Sequence, residues 1–160
     1  MATHHTDLNV PSSIAWVSSM RWPALLALLG ACATPEPVDH QARRNAHRDT
    51  LKARLGSDWD TPVDLSDADI SRGAEVWAKS CAACHGPAGR GDGPRATLLQ
   101  PPPPDLISGP SRSFYSDRGQ VMVIAEGAPG TAMPPFGRSL LEADLRAVYA
   151  HIVALRAASP

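Results

Sequence analysis

Cys81-Ala82-Ala83-Cys84-His85 places two thiols three residues apart, with an imidazole directly behind the second. This spacing is what covalent attachment of a c-type haem requires: each thiol adds across one porphyrin vinyl group, and the adjacent imidazole is held beneath the iron. A chain organised this way has to wrap a rigid, largely apolar disc. No other feature of the sequence constrains the fold as strongly.

Two other chemistries use C-x-x-C. A closed zinc site needs four side-chain ligands, and no further cysteine lies nearby to make a second pair, although His151 remains open as a ligand. A thioredoxin-like redox pair opens a helix after a strand. Here the preceding residues 71–80, SRGAEVWAKS, lack proline, and Ile70, Ala74, Trp77 and Ala78 recur at helical spacing. They predict a helix that delivers Cys81, capped by Asp67 or Asp69, with Glu75 near the first turn where the helix dipole favours an acid. Gly73 and Trp77 are four apart and share a face, which predicts a close helix contact at the glycine with the indole packed beside it.

A second helix is predicted over residues 140–155, where Leu141, Leu145, Val148, Tyr149, Ile152 and Leu155 form one apolar face. Ser139 and Glu142 have the spacing of a capping box. Residues 39–55 allow an exposed helix between Asp39 as cap and Gly56 as stop, with a face that is weak apart from Leu51 and Leu55. Residues 57–65 read as loop, and Pro101, Pro102, Pro103 and Pro104 read as an extended segment that stiffens its loop.

The stretch RGAEVWAKSCAACHGPAGRGDGP, followed downstream by GAPGTAMPPFG and a closing amphipathic segment, resembles a bacterial monohaem class I cytochrome c. The resemblance covers residues 66–155 and implies an all-α fold of three to five helices around one covalently bound haem. It implies haem attachment at Cys81 and Cys84, with His85 as proximal ligand. Met133 matches the methionine-proline element that supplies the sixth ligand. A thioether suits low-spin iron, and Gly130, Pro134 and Pro135 restrict the loop that presents it. Met122 lacks that setting, and His40, His47 and His151 are weaker rivals. Pro94, in GDGP, matches the family element whose carbonyl orients the proximal imidazole. Leu98, Leu99 and Leu106 are expected to wall the haem. The chain departs from the family at the last helix, where His151 occupies the usual aromatic position and Tyr149 is the residue that could compensate.

The N-terminal part resembles a bacterial lipoprotein signal. Leu29-Gly30-Ala31-Cys32 fits the acylation motif, the apolar residues 22–29 have the length of a signal h-region, and Arg21 supplies the positive flank. Residues 1–19 contain no Lys or Arg and carry Asp7, so translation is expected to begin at Met20. The expected organisation is a signal peptide over 1–31, a lipidated N-terminus and tether over 32–65, and a cytochrome domain over 66–160. All three cysteines then have a use, one for lipid and two for haem.

A formal charge of −1 gives no basic footprint for nucleic acid. An aromatic content of 5% suits a core whose largest apolar body is a porphyrin, so the haem-free chain is expected to fold poorly. The leading expectation is one-electron transfer between redox protein partners, extracytoplasmic and lipid-anchored. Six-coordinate iron leaves no position for substrate, which argues against catalysis. The alternatives are a fixed cytochrome subunit of a quinol-oxidising or terminal oxidase complex, and a peroxidase-like enzyme or gas sensor whose sixth ligand is labile.

Overall fold

The computed structural model describes residues 39–159. The expected signal peptide, the expected start at Met20 and the expected acylation at Cys32 lie outside them. The first element, α1 (His40–Leu55), is bounded as its sequence suggests: the Asp39 carboxylate accepts the Ala42 N–H at 2.9 Å, and Gly56 ends the helix at φ 54°. It is not an exposed tether, however. Leu51 is only 1% exposed, and α1 packs on a 3-10 turn over Gly56–Asp60 and on a later helix, so residues 39–65 belong with the compact unit Val38–Pro160. The expected loop at 57–65 contains that turn because Trp59 buries its indole there, against Gly119.

Helix α2 (Ile70–Ser80) starts at Asp69, whose carboxylate accepts the Arg72 N–H at 2.9 Å. Its buried face is Gly73, Val76 and Trp77, whereas Ile70 is 50% exposed and Ala78 faces solvent. The single turn α3 (Ala82–His85) follows without a change of direction in hydrogen bonding: the Cys81 N–H reaches the Trp77 carbonyl and the His85 N–H reaches the Cys81 carbonyl, both at 2.9 Å. Residues 121–125 form the centre of α4 (Asp117–Glu126), capped by Ser116.

Helix α5 (Glu142–Ala157) buries Leu145, Val148, Tyr149 and Ile152. The expected capping box is not made, because the Ser139 hydroxyl donates instead to the Phe136 carbonyl at 3.2 Å, leaving Leu141 at the cap position and 74% exposed. The principal contact of the fold is between α2 and α5. Gly73 meets the Ala147 carbonyl there, and Trp77 packs on His151 with ring centroids 5.9 Å apart. His151 thus fills the aromatic position itself. Tyr149 does not compensate, since it points to α4, where its hydroxyl donates to Asp117 at 2.5 Å. Among the described residues there is no strand, and no helix is long and apolar enough to cross a membrane.

Candidate cofactor site

Between the α2–α5 crossing and the loops that follow α3 and α4 lies a cavity of ≈ 410 Å³. That volume is in the range of sites that take up cofactor-sized molecules. Trp77, Cys81, Cys84 and His85 form one wall, and Val148 and Ile152 of α5 form its floor. Met133, with Thr131, Pro134 and Phe136, comes in from the loop after α4. Leu99, Leu106 and the four prolines 101–104 complete the apolar lining.

Local hydrogen bonds hold both presenting loops. After the C-x-x-C-H turn the chain folds back on it: Gly91 N–H donates to His85 at 2.9 Å, Gly93 to Cys84 at 3.2 Å and Arg95 to Ala83 at 2.9 Å. A Cβ at Gly93 would lie 2.6 Å from two carbonyl oxygens of that turn, so this close approach requires glycine. The GDGP segment is therefore a fixed wrap around the motif. On the other side, Met133 N–H donates to the Thr131 hydroxyl at 3.1 Å, that hydroxyl donates to Ala128 at 2.7 Å, and Ala128 N–H returns to the Met133 carbonyl at 3.2 Å. Gly127, at φ 79°, gives the chain the turn that starts this loop.

The protonation chemistry separates the candidate uses of the motif. Burial, aided by the neighbouring Cys84, pushes the Cys81 thiol up to about 11. A redox C-x-x-C pair works through a lowered thiol pKa, which this environment does not give Cys81. Burial also holds His85 below the ordinary histidine range, which keeps it a neutral imidazole with a lone pair free for a metal. Among the described residues, no group of three or more His, Cys, Asp or Glu side chains is placed to close a metal site by protein ligands alone.

Two expectations for the cavity need correction. Leu98 does not wall it: the residue is 79% exposed, because the turn Ala96–Leu98 buries Ala96 and directs Leu98 outward. The Pro94 carbonyl does not orient His85 either. His85 Nδ1 is buried without a hydrogen-bond partner, and Pro94 itself is exposed. Met122, His40, His47 and His151 are not among the lining residues, which leaves Met133 as the soft ligand that faces the cavity together with His85.

Sequence reasoning missed Arg44, Ser111, Tyr115 and Gln120, which close the remaining side. Arg44 lies seven residues before Leu51, on the same face of α1. A cationic residue on a weakly apolar helix reads as solvated surface, and only the burial of Leu51 reveals that this face turns inward.

The residues fit a c-type haem. Two thiols stand on the wall, a neutral imidazole and a thioether reach the same space, an orphaned ring nitrogen lies on the imidazole, and the rest of the lining is largely apolar. The family to which the chain is matched agrees with that chemistry. A family model described as cytochrome c oxidase, cbb3-type, subunit III matches residues 68–152. A chain of the reducing HAO-like protein complex of Kuenenia stuttgartiensis is similar at 26% identity with a TM-score of 0.47, covering 54% of this chain and 43% of that one. This chain therefore spans less than half the length of that relative. No curated protein matches it.

Proposed function

Because this chain belongs to the cytochrome c oxidase cbb3-type subunit III family, we propose that it holds one covalent haem c and acts as a membrane-tethered one-electron carrier between respiratory redox partners. Its folded part is a class I c-type cytochrome domain, whose chemistry is haem-based electron transfer. The observation that carries the finer reading is the meeting of Cys81, Cys84, His85 and Met133 on one apolar-walled cavity.

Bound there, the haem supplies an iron that takes up and releases one electron. Cys81 and Cys84 would anchor it through thioethers. His85, from a helical turn, and Met133, from a loop stiffened by Pro134 and Pro135, are the side chains that would hold the iron. The backbone hydrogen bonds of both loops would keep these two ligands in place while an electron is exchanged. Leu99, Leu106, Val148, Ile152 and the prolines give the site apolar walls, and an apolar surround with a methionine ligand favours a raised potential. Acylation of Cys32 would keep the domain at a membrane on its extracytoplasmic side, with residues 33–38 as the leash.

The family description favours a second reading, in which the same domain is a fixed subunit of a terminal oxidase or quinol-oxidising complex. Co-purification with membrane partners in mild detergent distinguishes it from a free shuttle. The site itself is tested by producing the mature protein in a host competent for cytochrome maturation. The expected product has the mass of the chain plus one haem, a haemochrome spectrum of two thioethers, and slow carbon monoxide binding when reduced. A colourless product at the bare chain mass would overturn the reading. Rapid carbon monoxide binding would instead point to a peroxidase-like enzyme or gas sensor.

A further inference from the structure

The polar part of the cavity lining has one sign: Arg44, Lys79 and Arg95 contribute to it, and no Asp or Glu does. Apolar walls with an all-cationic fringe suit a ligand that joins an apolar body to negative charge. A c-type haem is such a ligand, because its porphyrin carries two propionate carboxylates on the half of the ring away from the vinyl positions. The three cations are not equivalent toward it. Lys79 lies two residues before Cys81, and the Arg95 N–H is bonded to Ala83 inside the C-x-x-C-H turn, so both belong to the thioether edge. Arg44 comes from α1 and meets the cavity beside Tyr115.

We infer that Arg44 is the counter-ion of a haem propionate, held ready for it by the packing of α1. The inference rests on haem being the group held, and adds to that reading a residue outside the matched residues 68–152. The Arg44 guanidinium lies 4.4 Å from the Phe114 ring centroid and is half-buried. Among the described residues it has no carboxylate partner and no side-chain hydrogen bond, unlike Arg48, Arg54, Arg72 and Arg146. A cation partly removed from water gains most from an anion, and the guanidinium fork matches a carboxylate in two hydrogen bonds. Stacking on Phe114 fixes the side chain beforehand, so less rotamer entropy is lost when the carboxylate arrives. The Tyr115 hydroxyl, 3.2 Å from His47 Nδ1, lies in the same corner.

Arg48 provides the control. Its guanidinium also lies over Phe114, at 5.0 Å, but it pairs with Asp49 and does not line the cavity. The test uses the haem-loaded protein and its Arg44→Gln, Arg44→Met and Arg48→Gln variants. It reads the midpoint potential at neutral pH and the propionate carboxylate bands in redox-difference infrared spectra. Both Arg44 variants are expected to lower the potential, since an uncompensated carboxylate stabilises ferric iron, and to shift the carboxylate bands. Arg44→Met keeps an apolar stem on Phe114, so a folding defect in Arg44→Gln would not hide the effect. Arg48→Gln is expected to change neither readout. Unchanged potential and bands in haem-loaded Arg44 variants would overturn the assignment alone, as would an equal response from Arg48→Gln. A wild type without covalent haem would overturn the functional reading and this inference together.

Discussion

Gly73 on α2 faces the Ala147 carbonyl on α5 with no room between them for a Cβ. The contact decides how closely the two helices cross, and through the next turn of α2 it decides where Trp77 and Cys81 stand. Gly73→Ala would gain about 1 kcal/mol of helix propensity. The same change forces backbone apart at the main contact of the fold, and overpacking of this kind destabilises by roughly 1–3 kcal/mol or more. The clash falls on a carbonyl oxygen and, at 3.1 Å, on the His151 Cβ, neither of which can rotate away. The expected outcome is a net loss of stability in denaturant unfolding of the haem-loaded protein. A variant as stable as wild type would mean that the crossing is looser than described.

Leu51 separates a packed α1 from a solvated leash. At 1% exposure, its truncation to alanine is expected to destabilise by about 2–5 kcal/mol, the range for buried leucines. Arg54→Ala makes a useful contrast. The Arg54–Glu126 pair has two short hydrogen bonds, of 2.6 and 2.8 Å, but both side chains are well exposed, and such solvent-screened pairs contribute little to stability. Chemical denaturation of both variants checks the order. If Leu51→Ala matches Arg54→Ala, α1 contributes little to the folded unit.

How much of this was legible beforehand follows from how local each signal is. The Asp39 and Asp69 caps, the Gly73–Trp77 face and the C-x-x-C-H turn are written within a few residues, and the structure has them. The capping box at α5 was also a local pattern, yet the Phe136 carbonyl draws the Ser139 hydroxyl away. Alternation between neighbouring leucines misled for a different reason: Leu98 and Leu99 are adjacent, and only the 3-10 turn decides that Leu99 faces the cavity. The placement of Arg44 against Phe114, and the packing of α1 on α4, join segments more than 60 residues apart, and no window along the chain holds that information.

His47 gives the α1 contact a pH dependence. Burial holds its folded pKa below the ordinary 6.5; Arg54 lowers it further and Glu126 opposes them. The unfolded chain therefore binds the proton more readily in the interval between the folded value and 6.5. The stabilisation is complete above 6.5 and is lost as the pH falls from there through the folded value. Wild-type protein is expected to lose more melting temperature between neutral pH and about pH 5 than His47→Gln does. His85 and His151, which burial also shifts downward, are present in both proteins, so the difference isolates His47. Equal losses would remove this residue from the acid response.

Met133 and Met122 provide the decisive comparison at the site. Met133 lines the same cavity as the C-x-x-C-H turn, while Met122 sits within α4 and does not line it. Haem potentials vary over about 0.8 V with axial ligation, and methionine with histidine lies toward the high side. Met133→Ala is therefore expected to lower the midpoint potential by on the order of 0.1 V or more. It should also abolish the weak far-red absorbance of methionine-ligated ferric haem and open the reduced iron to carbon monoxide. Met122→Ala should leave all three properties as in wild type, because its side chain does not reach the cavity. Absorption spectroscopy with redox titration of the two variants checks this directly. Should Met122→Ala give the ligand-loss signature and Met133→Ala the wild-type one, the sixth ligand would have to come from α4, and the loop from Gly127 through Phe136 would need another reason for its hydrogen-bonded rigidity.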